Sequence, residues 1–248
     1  ANNRLTSVPT KWRNPIKRPG DAVRVGKEFD ERRQEKMPTE AALDALPKVF
    51  RLATDSFDVI VSSVAAILCS APDRINEVLI LSDLCEVHQS AGNGKADAYG
   101  LRWWPAKGAD PMVKWIVPSM VSVVEEAIGK IRSVTDEARQ IAKWYEEHPS
   151  EIYLHDEVRH LRNAEWLAMD DVAKIVGFES SASARAWCKG HGVKPVTYEK
   201  SKQVRFVDIE AAVVEMLPAG FPFLEKEAGL KYSDALLVVF TNGRLEKP

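Results

Sequence analysis

Arg74 and Lys107 are the residues of this chain whose types and placement could do chemistry. Arg74 opens an apolar helix pattern, RINEVLIL, and Lys107 follows at the turn between two β-like runs, AYGLRWW and MVKWIVP. A guanidinium and an ammonium held out by rigid elements suit a phosphodiester. The arginine can offer two parallel N–H donors and the lysine a charge or a proton. Each residue also has a plainer reading. Arg74 shares a helical face with Glu77, where an exposed ion pair is worth a few tenths of a kcal/mol. A lone turn lysine ordinarily serves solubility.

The elements that must position this pair are legible from punctuation and period. Pro38-Thr39-Glu40 starts a helix carrying Ala42, Leu43, Leu46, Val49 and Phe50 to about Ala53. Asp55 is an N-cap for DSFDVIVSSVAAILCS, apolar on most sides and therefore a core element. A third helix runs from Arg74 to Leu81 with Ile75, Val78 and Leu79 inward. CEVHQ, AYGLRWW and MVKWIVP then form a three-stranded antiparallel meander. Pro118-Ser119 starts an amphipathic helix on Val121, Val124, Ile128 and Ile131. Thr135 or Asp136 caps another, with Ala138, Ile141, Ala142 and Tyr145 inward.

Composition narrows the class. The 248 residues are 45% hydrophobic and 28% charged with a net charge of −2, an ordinary globular balance without a global basic signature. Residues 1–36 hold ten basic and five acidic side chains, a local +5. With three prolines and weak periodicity they read as an extended linker, or as an arm lying along phosphates through Lys17 and Arg18. Cys69, Cys85 and Cys188 have no metal-ligand spacing, so a reducing, cytoplasmic setting with no structural zinc is expected. No membrane span and no signal peptide are apparent.

The order of these pieces resembles the tyrosine-type site-specific recombinases of the phage integrase family. The resemblance covers roughly residues 10–148. It rests on Asn14-Pro15 in the basic arm, the Thr39-Glu40 helix start, the Arg-x-x-Glu of Arg74 and Glu77, the lysine-bearing β2–β3 turn, and the Val117-Pro118 that precedes a helix. The family usually has glycine two residues before the arginine, where this chain has Pro72. The resemblance implies catalytic roles for Arg74, stabilising charge on the scissile phosphate, and Lys107, the acid for the leaving oxygen. Glu77 would orient Arg74. It implies no metal, no cofactor and self-association on double-stranded DNA.

The family's His-x-x-Arg box and tyrosine nucleophile are not found. LHDEVRHLRN offers His155 with Arg159 and His160 with Arg162, neither at the required spacing, and reads as a polar connector. Residues 164–217 instead resemble the winged helix-turn-helix of excisionases and MerR-type regulators. A helix on Met169, Val172, Ala173 and Val176 is followed by the turn Gly177-Phe178-Glu179, a helix from Ser181 to Lys189, strands KPVTY and QVRF, and the helix VDIEAAVVEML. Residues 181–205 hold six basic side chains against one acidic, although 164–217 as a whole is −1. The resemblance puts Ser181, Ser183 and Arg185 in the major groove and Lys200 and Lys202 of the wing on phosphates, with Trp187 in the core.

The expected fold class is α+β, mostly α: a helical catalytic-domain core with a small three-stranded antiparallel sheet, plus a small winged helix-turn-helix. The expected divisions are a basic linker arm (1–36), the first half of a recombinase catalytic domain (37–160), a winged helix-turn-helix insert (161–217), and a return segment (218–248) toward a missing second half. The expected function is that of a DNA-binding recombinase fragment, inactive because it lacks the nucleophile. The alternatives are a non-enzymatic helix-turn-helix regulator and an all-helical interaction module without a nucleic-acid role.

Overall fold

The computed structural model describes residues 26–71, 73–90, 97–105, 110–198, 201–241, 244–246 and 248. Lys17, Arg18, Lys107 and Lys200 lie outside the described residues, as does Pro72. The fold is α+β with just over half of the described residues helical and several small antiparallel sheets, as the sequence predicts. The chain divides into two units, 1–48 and 49–248.

In the first unit, part of the expected extended arm is helical. α1 (Lys27–Gln34) buries nothing and is held by local charge: Glu28 and Asp30 sit in its first turn, Arg32 and Arg33 in its last, and Arg32 reaches Glu28 at 2.8 Å. That arrangement complements the helix dipole, a signal that the apolar period does not carry. α2 (Glu40–Leu52) begins with Thr39 Oγ1 accepting from the Ala42 N–H, and its only buried residue is Phe50.

In the second unit, α3 (Ser56–Ser70) is capped by Asp55, whose carboxylate accepts from the N–H groups of Phe57 and Asp58. One face of α3 is buried, through Val59, Ser62, Ser63, Val64 and Ile67, while Phe57 and Val61 are exposed. The expectation of burial on most sides is corrected here. α3 packs mainly along α5, with a smaller contact to α4, so one face is covered and the opposite face stays open. α4 (Ile75–Leu79) is shorter than expected. Val78 is fully buried but Ile75 is half exposed, since a helix this short turns only one residue row to the core.

The meander forms as read: β1 (Glu86–Gln89), β2 (Ala98–Trp103) and β3 (Met112–Trp115), antiparallel in the order β1-β2-β3. Leu101 faces Glu86 on one side and Lys114 on the other. Arg132 fastens this sheet to the next helix. Its Nε donates to Asp83 Oδ1 at 2.9 Å and one amino group to Glu86 Oε2 at 2.5 Å, while Tyr99 donates to Glu86 Oε1 at 2.8 Å.

α5 (Val121–Glu147) is one helix, where the sequence predicts two. Thr135, expected as a cap, is buried in mid-helix and bonds its hydroxyl back to the Ile131 carbonyl at 2.8 Å. The apolar stripe Val124, Ile128, Ile131, Ala138, Ala142, Tyr145 passes through it without a phase break, and packing along that stripe outweighs the local capping signal.

The first half of α5 joins α3, α4 and the meander in one apolar cluster that contains Ile67, Leu81, Leu101, Trp103 and Ile128. Its second half joins a cluster with the C-terminal segment: β7 (Phe223–Glu225), β8 (Leu230–Lys231), β9 (Val239–Thr241) and β10 (Arg244–Glu246), which form two hairpins. Between these hairpins the run Ala235–Val238 is buried. Leu236 N–H donates to Leu81 O and Asp83 N–H to Asp234 O, both at 2.8 Å. The apolar tail thus covers the connection between α4 and β1.

A third apolar cluster holds β4 (Trp166–Ala168), α6 (Met169–Ile175), α7 (Ser181–Gly190), β6 (Ser201–Arg205) and α8 (Phe206–Glu215), with β5 (Val196–Tyr198) paired to β6 at its edge. It also recruits Ile152, Leu154 and Val158 from the polar connector, so its core starts earlier in the chain than residue 161.

Candidate functional site

Arg74 is the N-cap of α4, with extended backbone angles that leave its side chain 60% exposed. Glu77, one turn on, is buried. Its carboxylate accepts from the Arg74 backbone N–H and from the guanidinium, each at 3.4 Å. Glu77 therefore orients the arginine while leaving most of its donors to solvent.

Beside Arg74, in the same open cleft of about 510 Å³, stand Asp73, Trp103 and Lys114. Lys114 Nζ pairs with Asp73 Oδ1 and lies 5.2 Å from the centre of the Trp103 ring. The Asp73 side chain is only 6% exposed. Burial pushes its carboxyl above the ordinary range and the Glu77 carboxylate adds to that, while the Lys114 ammonium opposes it. Two further atoms matter. Asp73 Oδ2 and Trp103 Nε1 are buried and have no hydrogen-bond partner among the described residues.

The sequence finds Arg74 and Glu77 here but misses Asp73 and Lys114. Asp73 reads as helix punctuation after Pro72. Lys114 does leave a trace, since it is the one charge inside the apolar run MVKWIVP. Lys107, the expected partner of Arg74, lies outside the described residues. The cleft thus sets two cations, Arg74 and Lys114, each against a carboxylate, Glu77 and Asp73, with most of the Arg74 guanidinium left exposed.

The 166–215 segment supplies a second candidate surface. Its sheet has the order β4-β6-β5, antiparallel throughout, with α6 and α7 lying between β4 and β5 in the chain. The turn between the helices passes through Gly177 at φ +76°, a left-handed conformation suited to glycine. Ser180 caps α7 by accepting from the Ser183 N–H at 3.2 Å. Of the residues expected to meet DNA, Ser183, Arg185 and Lys202 are exposed and Ser181 is half-buried. The Ser183 hydroxyl is already engaged with Ser180 Oγ at 3.0 Å. Lys189 and Lys194 add exposed cations near the C-terminal end of α7. Trp187 is buried, as its helical spacing predicts, and stacks on His191.

The histidines and arginines of the connector do not converge on Arg74. His155 sits 3.5 Å from Glu137 with Tyr153 and Phe240 around its ring, and Arg159 pairs with Asp156. Arg162 donates to Ile152 O and to Glu210 Oε1, tying the connector to α8. Among the described residues no helix is long and apolar enough to cross a membrane. Compared with known protein families, curated proteins and solved structures, the chain matches none.

Proposed function

We propose that this chain is a DNA-binding part of a site-specific DNA recombinase of the tyrosine type, carrying half of a phosphodiester site. The observation that supports it best is the order around the cleft: an apolar helix, an exposed arginine at a short helix start, and a three-stranded antiparallel meander. In this reading Arg74 grips the scissile phosphate through two parallel N–H donors. Lys107 belongs to the reading by its place between β2 and β3, as the acid for the leaving oxygen. The 3′-phosphotyrosine step belongs to a nucleophile outside these 248 residues. The partner is double-stranded DNA, with self-association on paired sites and a cytoplasmic location.

The test is incubation of the chain with a nicked suicide duplex, scored for binding and for covalent adduct. Binding that Arg74→Gln and Lys107→Gln weaken, with no adduct formed, is the expected result. A covalent adduct from this chain alone would overturn the claim that it lacks the nucleophile.

A second reading has its own observation. The segment around α7 has a separate apolar cluster and presents Arg185, Lys189 and Lys202 to solvent, which suits a non-enzymatic DNA-binding regulator. Under that reading Arg185→Ala and Lys202→Ala remove sequence preference and lower the salt dependence of binding, while Arg74→Gln leaves both unchanged.

A further inference from the structure

The cleft beside Arg74 contains more than the proposed recombinase chemistry assigns to it. Lys114 stands on β3 and lines the cleft, with its ammonium paired to the buried Asp73 carboxylate. Trp103, on the adjacent strand, is 1% exposed and carries an indole N–H without an acceptor among the described residues. Asp73 Oδ2 is buried without a donor among the described residues, and the Glu77 carboxylate beside Asp73 favours a proton there. Unmet donors and acceptors in a buried position are costly, and the two residues that carry them, Asp73 and Trp103, both line this cleft, where an entering polar ligand could meet them.

The signs of the groups say which ligand. Arg74, Lys114 and the Trp103 N–H donate, Glu77 is engaged with Arg74, and the opposing acceptor, Asp73 Oδ2, ceases to oppose an anion once Asp73 is protonated. Two cations and a neutral donor converge best on an oxyanion with several acceptor oxygens, and a phosphate or phosphodiester has that character.

We propose that Lys114 and the indole N–H of Trp103 are phosphate ligands beside Arg74, and that Asp73 is a positioning residue that holds Lys114 until phosphate enters. This rests on reading Arg74 as a phosphate-binding arginine. On entry, Lys114 exchanges the Asp73 carboxylate for a phosphate oxygen, and Trp103 donates to a second oxygen. Asp73, left beside Glu77, takes up a proton, as its burial already favours. Phosphate binding then tightens as the solution becomes more acidic, until the phosphate itself is protonated.

The experiment is titration of the whole chain with inorganic phosphate, with dimethyl phosphate and with a nicked duplex. The readout is the indole 15N–1H resonances of the seven tryptophans, with Trp103 assigned by Trp103→Phe. The expected result is a downfield shift of the Trp103 resonance with phosphate. Lys114→Gln weakens binding about tenfold, the scale of one charge-assisted hydrogen bond. Asp73→Asn, which frees Lys114, tightens it several-fold. These opposite signs separate ligation from general damage to the fold, and urea unfolding of each variant checks that damage directly.

A silent Trp103 resonance, or phosphate affinity indifferent to both Lys114→Gln and Asp73→Asn, overturns the proposal. Duplex binding that depends on Arg74 but not on Lys114 also overturns it, and leaves the recombinase reading standing. Phosphate binding with the expected variant pattern, but duplex binding indifferent to Arg74→Gln, supports the anion site and removes the recombinase reading. A site that takes inorganic phosphate but not dimethyl phosphate supports the ligation pattern and assigns it to a free phosphate rather than to DNA.

Discussion

Gly100→Ala should destabilise the second unit through a single contact. Gly100 lies in the middle of β2, opposite Trp115 of β3. A Cβ there would stand 2.7 Å from the Lys114 carbonyl oxygen, 2.9 Å from Trp115 Cε3 and 2.9 Å from Val113 Cγ1. The two side chains can give way by rotation. The carbonyl cannot, because it belongs to the backbone of the paired strand. Carbon-to-oxygen contacts between strands settle near 3.3 Å, so β3 must retreat by roughly half an ångström. Overpacking of this kind costs about 1–3 kcal/mol. The alanine regains up to about 1 kcal/mol because the unfolded chain is less free than with glycine. A net loss of about 1 kcal/mol is expected, equivalent to a fall of about 2–4 °C in Tm for a unit of this size. Urea unfolding followed by tryptophan fluorescence measures it. A variant within about 0.5 kcal/mol of the parent, the range of an inert surface change, would refute the reasoning. The displacement also has a chemical consequence. It moves the strand that carries Lys114, so the Asp73–Lys114 pair loosens and phosphate affinity changes with stability.

Arg139→Met should free the C-terminal segment. The buried guanidinium donates to Thr135 Oγ1 at 2.5 Å, Arg132 O at 2.9 Å and Leu236 O at 3.2 Å, and charged hydrogen bonds of this kind put the loss at about 3 kcal/mol. Limited proteolysis should cut the variant first around residues 232–241, and an unchanged cleavage pattern would count against this role for Arg139. Alkaline pH should unfold the protein. Burial pushes the Cys85 thiol up to about 12 from an ordinary 9.0, so between those values the unfolded chain has lost a proton that the folded chain keeps. Stability therefore falls as pH rises through that window, by about 1.4 kcal/mol per unit for this group. Tyr99, Tyr145 and Tyr232, also pushed up by burial, act in the same direction. Cys85→Ala should flatten the slope by one proton, measured by urea unfolding across the alkaline range. Ser180→Ala removes the cap of α7 and should cost about 1 kcal/mol, read as a lower unfolding midpoint with the slope unchanged.

The sequence by itself determined the fold class, the existence and order of the three meander strands, and the order of elements between residues 166 and 215. Those features follow from local chemistry: alternation in the strands, Asp55 as a cap, Gly177 at a turn that needs a left-handed backbone. It also singled out Arg74 with Glu77, because a helix puts residues three apart on one face. Where local and long-range signals conflict, local reading fails. Thr135-Asp136 has the composition of a cap, yet α5 runs through it because the stripe from Val124 to Tyr145 is covered by two clusters at once. The polar connector looked free of the core, yet Ile152, Leu154 and Val158 are buried in the cluster of the 166–215 segment.

Only the tertiary structure decided the company Arg74 keeps. Asp73, Trp103 and Lys114 come from three different elements. No sequence period links a residue before α4 to one in the middle of β3. Their meeting depends on β3 pairing with β2 in one register, and that register is set by the close approach at Gly100 and by Leu101 buried between its neighbours. A chain read in one dimension shows which side chains could hold a phosphate. Which carboxylate neutralises which ammonium, and which indole N–H lacks an acceptor, is a property of packing.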